Sequence, residues 1–117
     1  HFSNDAQPTV TLASLNEKMA KFKGSFSSTL GKLMFADYCR FDGSMSLHLV
    51  FQGQSSPVNI FILPDDKDIK FIADFANDKL QGQSSNFNHS NIVVVGDKNE
   101  PIQQWQERVK QNITWSI

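Results

Sequence analysis

The sequence predicts a single α+β domain: a mostly antiparallel sheet of about five to six strands, flanked by an N-terminal and a C-terminal helix. Apolar residues recur at helical spacing near both ends, and short alternating apolar segments between turn residues fill the middle. The chain of 117 residues is long enough for one domain, and 39% hydrophobic with 20% charged residues is a globular balance. We expect residues 1–8 to form a linker or a frayed start and residues 9–117 to form the domain.

The first helix, residues 12–23, is predicted from an apolar stripe. The stripe has alternating three- and four-residue steps and consists of Leu12, Leu15, Met19, Phe22 and Phe26. Ser14 and Glu17 have the spacing of a capping box, with Thr11 as an alternative N-cap, and Gly24 is a natural stop. The stripe either packs on the sheet of the domain or continues a coiled-coil seam from upstream.

Six segments in the middle of the chain are predicted to be strands, at residues 33–39, 47–52, 58–63, 69–75, 79–83 and 92–95, and the pattern at 79–83 is the weakest. Asp42-Gly43 is a strong turn signal, and residues 53–56 form a four-residue loop. Residues 92–95 are apolar throughout, which predicts a central strand buried on both faces. Residues 51–56 are echoed by residues 80–85, and we interpret the echo as two turns built from the same small polar residues.

The second helix is predicted to follow at residues 100–114. Asn99 is a suitable N-cap and Pro101 stands in the first turn, where proline is tolerated. The apolar stripe consists of Ile102, Trp105, Val109 and Ile113. Residues 115–117 are expected to pack back on the domain.

The two hairpins fix which side chains share a face of the sheet. A two-residue turn at 42–43 places Asp37 opposite His48 and Cys39 diagonal to it. The loop at 53–56 gives a consistent register, so one face becomes the predicted core, with Met34, Ala36, Tyr38, Met45, Leu47, Leu49, Phe51, Val58, Ile60 and Ile62. The opposite face carries Asp37 and His48, and Cys39 with Ser46 opposite it, with Phe35, Phe61 and Leu63 nearby.

Asp37, Cys39 and His48 on that opposite face are the candidate site. A carboxylate favours a neighbouring imidazolium, and an imidazolium favours a neighbouring thiolate, so the group could be a redox, metal or signal-responsive face. The alternative is that Cys39 is an idle thiol and His48 an ordinary strand residue. Two ligands are too few for a closed metal site, and a flat sheet face lacks an oxyanion hole. We therefore predict no enzymatic activity and no cofactor.

Composition narrows the range of partners. Eleven basic and twelve acidic residues give a net charge of -1 with no basic stripe, which argues against nucleic acid. A single cysteine excludes an intramolecular disulfide. No apolar segment approaches the length of a membrane span, but the chain begins at His1. We expect a fragment whose anchor lies upstream, so contact with a membrane would come only through that missing segment.

The middle of the chain reads Cys39-Arg-Phe-Asp-Gly43-Ser-Met-Ser-Leu-His48-Leu-Val50, then Gly53, and then Pro57-Val-Asn-Ile-Phe-Ile-Leu-Pro64. This pattern resembles the extracytoplasmic part of the DUF3379 family. Ile92-Val-Val-Val-Gly96, Glu100-Pro101 and the tryptophan-containing last helix are similar too, so the resemblance covers roughly residues 12–117. Its most specific part is the Cys-x3-Gly-x4-His-Leu-Val run, which makes Cys39, Gly43 and His48 motif positions. Related sequences often have proline where this chain has Arg40.

The resemblance implies a single-pass inner-membrane protein of Gram-negative bacteria, comparable with anti-sigma regulators, whose domain lies in the periplasm. On that basis we expect a non-enzymatic sensing or interaction domain with a protein partner. A metal- or redox-binding module using Cys39 and His48 is the first alternative. A hydrolase or transferase, and an assembly module that dimerises through an edge strand, are further alternatives. The sequence leaves the partner, the ligand and the oligomeric state open.

Overall fold

A computed structural model describes residues 11–41, 43–64, 74–76, 78–87 and 90–115. Helix α1 (Leu12–Met19) continues into a short 3-10 helix (Ala20–Phe22), and α2 (Ile102–Asn112) lies near the other end of the chain. The strands are β1 (Gly24–Phe26), β2 (Leu33–Phe41), β3 (Ser44–Gln52), β4 (Pro57–Pro64), β5 (Asp74–Ala76), β6 (Leu80–Phe87), β7 (Ser90–Asp97) and β8 (Ile113–Trp115).

The main sheet is antiparallel, has six strands and runs in the order β2-β3-β4-β7-β6-β5. With one helix before it and one after it, the predicted α+β class is confirmed. The prediction for 92–95 also holds, because β7 is an interior strand on which Ile92, Val93 and Val94 are all buried.

A second, two-stranded sheet joins β1 to β8 and was not predicted. Its register places Phe26 opposite Ile113, and both residues had been assigned to helical stripes. Each happens to continue the apolar spacing of the helix beside it. The chain instead leaves α1 through Lys23, whose φ of 61° is left-handed, and leaves α2 directly into β8.

Both helices pack on the same face of the main sheet and close the core there. Leu15 and Met19 of α1 and Trp105 and Val109 of α2 are buried in one cluster with the central sheet residues, among them Leu47, Leu49, Phe51, Val58, Ile60, Ile62, Ile92 and Val94. The predicted core face is therefore confirmed over β3 and β4. The predicted packing of α1 on the sheet of its own domain is confirmed as well.

Two residues predicted to be in the core, Met34 and Met45, are 41% and 50% exposed. A β-bulge between Leu33 and Phe35 places Leu33 opposite Phe51, so Met34 drops out of the regular alternation. Met45 is opposite Arg40 at the end of the hairpin beside the turn. The alternation of a strand predicts which face a side chain is on, and does not show where the helices stop covering it.

The helix N-termini differ from the prediction in their caps. Thr11 is the N-cap of α1, and its side chain accepts from the Ser14 amide at 3.1 Å while Ser14 Oγ accepts from the Thr11 amide. The predicted box of Ser14 with Glu17 is therefore wrong, and the alternative cap is confirmed. At α2 the N-cap position is Pro101, so the prediction of Asn99 as N-cap is wrong.

The echoed segments have different structures. Residues 53–56 form the predicted loop between β3 and β4, whereas residues 80–85 lie within strand β6, so the interpretation as two turns is wrong. The predicted strand at 69–75 falls largely outside the described residues, which show only its end within β5. Residues 1–8 and 116–117 also lie outside them.

Candidate functional site

The face of the main sheet opposite the two helices, here called the second face, carries the predicted site residues. The register confirms the predicted pairs, Asp37 opposite His48 and Cys39 opposite Ser46. The turn between β2 and β3 sets this register, and Gly43 lies in it at a φ of 82°, a conformation that favours glycine. The motif glycine therefore positions the site through the backbone.

The His48 side chain is held by its neighbours along β4 and β2. Its Nε2 lies 2.8 Å from Asn59 Oδ1, so Nε2–H donates to that oxygen. Its ring stacks on Phe61, with centroids 4.4 Å apart and planes 7° from parallel, and meets the edge of Phe35 at 5.5 Å. The imidazole thus leans towards Asn59 and the two phenylalanines, and all four side chains are half-buried.

Cys39 is paired with Ser46 rather than with His48. Its Sγ lies 3.1 Å from Ser46 Oγ, and the same hydroxyl donates to the Cys39 carbonyl at 3.1 Å. Because a hydroxyl has one hydrogen, the thiol is the donor in the first contact. Ser46 is fully buried and Cys39 is half-buried. The thiol proton is therefore engaged within this small ring of hydrogen bonds.

Asp37 is exposed and bonds locally. Its Oδ1 accepts from the Tyr38 amide at 2.8 Å, and it makes neither an ion pair nor a hydrogen bond with His48. The structure thus brings the three predicted site residues to one face but divides them into separate interactions. Their role as a redox, metal or signal-responsive group stays a prediction. Within the described part of the chain, no three His, Cys, Asp or Glu side chains come together as a metal site would require.

The second face is buried at one end and accessible around His48. Leu63 is fully buried and Val93 is 7% exposed, although neither belongs to the core that the helices close. His48, Phe61 and Val93 form one row across β3, β4 and β7. His48 and Phe61 of this row, with Phe35 and Asn59 beside them, form a half-buried group that combines apolar rings with polar atoms and is here called the aromatic–histidine cluster.

Sequence reasoning missed a buried carboxylate, Glu100, at the junction between β7 and α2. It is 3% exposed and is wrapped by the loop at 53–56. The Gln54 amide donates to Oε1 at 3.1 Å, while the Ser55 and Ser56 amides donate to Oε2, the latter at 2.8 Å. The Ser55 hydroxyl lies 2.8 Å from Oε2. Gly53 is required here, because a Cβ at that position would lie 2.6 Å from Oε1.

The hydrogen bonds decide the charge of Glu100. Burial by itself would raise its pKa, but the bonds from the Ser55 amide and hydroxyl and from the Ser56 and Gln54 amides outweigh burial and lower the pKa from 4.5 to about 2. The carboxylate is therefore ionised at neutral pH and its oxygens are occupied by donors. This arrangement locks the β3–β4 loop to the start of α2 and is not that of a proton-transferring base.

Two features of the sequence were available as signals for this contact. Glu100 directly precedes the proline at the start of α2, and residues 53–56 are a loop of glycine, glutamine and two serines. Neither signal indicates the other, since the two segments are distant in the sequence.

No helix among the described residues is long and apolar enough to cross a membrane. Neither the curated proteins nor the solved structures include a match to this chain. A family model, described as "Protein of unknown function (DUF3379)", matches residues 1–113. Since this match covers nearly the whole chain, and agrees with the resemblance carried by Cys39, Gly43 and His48, the protein belongs to the DUF3379 family.

Proposed function

We propose that this domain is a non-enzymatic sensing or interaction module that binds a protein partner through its second face. One observation carries the proposal: a half-buried aromatic–histidine cluster lies on the sheet face opposite the two helices. A rigid β-sheet presents these side chains in a fixed arrangement. Aromatic side chains are enriched at protein interfaces because they combine a large apolar surface with little conformational freedom.

The cluster also specifies the chemistry of the partner. His48 donates through Nε2 to Asn59, so Nδ1 of the neutral ring is an acceptor. Nδ1 makes no hydrogen bond with the described residues. The exposed Asp37 carboxylate is a second acceptor on the same row. A partner that inserts an apolar side chain beside Phe35 and Phe61 while offering a hydrogen-bond donor would match this surface.

The separation of the polar side chains supports a role without catalysis. Nucleophilic catalysis needs a nucleophile and a base within hydrogen-bond reach. Cys39 donates to Ser46, and His48 is bonded to Asn59, so the thiol and the imidazole do not act on one another. The proposal therefore assigns these residues to recognition.

The location is a further part of the proposal and rests on the resemblance described above. We place the domain on the periplasmic side of the bacterial inner membrane, attached through an upstream anchor to a regulatory region comparable with anti-sigma proteins. Binding at the second face would then bias the membrane-anchored region.

The test uses the full-length parent protein in its native membrane. A photo-crosslinking side chain is placed at Asp37 on the second face or, as a control, at Glu107, which is exposed on α2. We expect a discrete crosslinked protein from position 37 and not from position 107, and we expect His48→Ala to abolish it. Circular dichroism of the purified His48→Ala domain shows whether the fold is kept. Equal products from both positions, or a product unaffected by His48→Ala, would contradict the proposal.

The alternative proposal is a metal- or redox-binding module that uses Cys39 and His48. It requires the Cys39 thiol to lose the proton that it donates to Ser46, whereas His48 can bind a metal through Nδ1 and keep its Nε2 bond to Asn59. Titration of the purified domain with Zn²⁺ separates the two proposals. Stoichiometric binding that is lost in both Cys39→Ala and His48→Ala would support the metal site, and its absence would leave the interaction module.

A further inference from the structure

Among the described strands, β2 forms one outer edge of the main sheet. It is nine residues long and pairs on one side with β3, whereas β5 at the other edge is described over three residues. An outer strand has backbone N–H and C=O groups on its second side that are not used within the sheet, and an extended peptide can pair with them. From Phe35 to Phe41 the pairing with β3 is regular, so this stretch is straight enough to accept another strand.

Three cationic side chains gather beside this edge. The Lys18 and Lys21 ammonium groups lie 5.5 Å and 5.0 Å from the centroid of the Tyr38 ring, on the helix-bearing side of β2. The Tyr38 hydroxyl donates to the Lys18 carbonyl at 3.2 Å, which fixes the end of α1 over the strand. Arg40 lies two residues further along β2 on the same side.

No acidic side chain among the described residues neutralises these cations. Arg40 donates to the Gly43 carbonyl at 3.2 Å, and none of the three cations forms an ion pair with a described residue. Glu17 is exposed on α1 without pairing with Lys21, and Asp37 is on the opposite face of β2. Met45 lies opposite Arg40 and is 50% exposed, which adds apolar surface next to the charges.

We propose that the outer edge of β2 binds an extended acidic peptide segment of a partner protein as an additional strand. Successive side chains of a strand point to opposite faces, so every second side chain of the added strand would point towards the helix-bearing side. Because neighbouring strands are about 4.8 Å apart, these side chains would be within reach of Lys18, Lys21 and Arg40. A segment with glutamate or aspartate at every second position fits both the pairing and the charges. This site is separate from the second face, so the inference does not depend on the function proposed above.

The first measurement is a titration of the domain with a soluble synthetic peptide of about ten residues, a common strand length, alternating glutamate and threonine. We expect saturable binding that weakens about tenfold in Lys21→Glu, because the charge contact is reversed, and that weakens with added salt. Lys98→Glu is the matched control: it makes the same charge change at an exposed residue in the turn before α2, and its affinity should stay within twofold of the wild type. Arg40→Glu should repeat the loss from a second position.

A second peptide tests the strand pairing without changing charge. Methylation of alternate backbone nitrogens removes the donors that an added strand needs, and we expect this peptide to lose most of its binding. Equal binding of the methylated peptide, equal loss in Lys21→Glu and Lys98→Glu, or no saturable binding would overturn the inference. Binding of anionic phospholipid vesicles in place of the peptide would also overturn it.

Discussion

Residues 51–56 and 80–85 differ only at their first position, yet one segment ends in a loop and the other is strand throughout. In the first copy, the amides of Gln54, Ser55 and Ser56 donate to the Glu100 carboxylate. In the second copy, the residues are paired with β7, from Gln81 opposite Gly96 to Ser85 opposite Ile92. The same short polar sequence therefore satisfies its backbone in two unrelated ways.

Both copies converge on the same junction. The loop at 53–56 binds the side chain of Glu100, and Gln81 of the second copy donates through Nε2 to the Glu100 carbonyl at 2.8 Å and to the Asp97 carbonyl at 3.1 Å. The partner of a small polar segment decides its conformation: a buried carboxylate favours the loop, and two neighbouring strands favour the extended form. The glycine and serine residues permit either outcome.

The largest effect is expected from removing the carboxylate that the loop surrounds. Glu100→Ala leaves three amides of the 53–56 loop without their acceptor, and we expect it to lower the free energy of unfolding by about 2–4 kcal/mol. Urea denaturation followed by circular dichroism measures the change. Glu107→Ala is the control, since Glu107 is exposed on α2 and should change the stability by less than about 0.5 kcal/mol. Similar losses in the two variants would refute the loop-lock assignment.

Acid should weaken the same contact. The pKa of Glu100 is depressed in the folded protein to about 2 from 4.5, so its contribution to stability is fully present above about pH 4.5 and is lost as the pH falls towards 2. The shift corresponds to at most about 3 kcal/mol. Other carboxylates also titrate in this range, so the stability of wild type is compared with that of Glu100→Gln across the pH series. The difference should be largest near neutral pH and shrink below pH 4.5; a constant difference would contradict the shift.

The part of the fold that could be predicted is the part in which local pattern and turn geometry agree. The two hairpins formed by β2, β3 and β4 each have a short turn and alternating side chains. Their register was predicted correctly from Phe41 opposite Ser44 in the first hairpin to Phe51 opposite Val58 in the second. The β1–β8 sheet could not be derived in this way. Each strand has three residues, and Phe26 and Ile113 sit at helical spacing, so the local pattern favoured the wrong structure.

The candidate site was predictable in its placement and not in its contacts. Alternation puts Cys39 and His48 on one face, but their side-chain torsions are set by better local partners, a buried hydroxyl at Ser46 and an amide oxygen at Asn59. Diagonal neighbours in a sheet are within reach of one another without being obliged to meet. Glu100 was missed for a related reason: its partners are loop amides distant in the sequence, and no periodic pattern connects them.

The smallest expected effect on stability concerns Ser56 and Ser85, which occupy the last position of the two similar segments 51–56 and 80–85. Ser56 Oγ accepts from the Asp97 amide at 3.2 Å, whereas Ser85 Oγ makes no side-chain hydrogen bond with the described residues. We expect Ser56→Ala to cost about 1 kcal/mol in urea denaturation, because the Asp97 amide loses its acceptor, and Ser85→Ala to stay within about 0.5 kcal/mol of wild type. Equal effects on stability would mean that the Ser56 hydroxyl does not help to form the loop. The difference between loop and strand would then depend only on the Glu100 carboxylate and on pairing with β7.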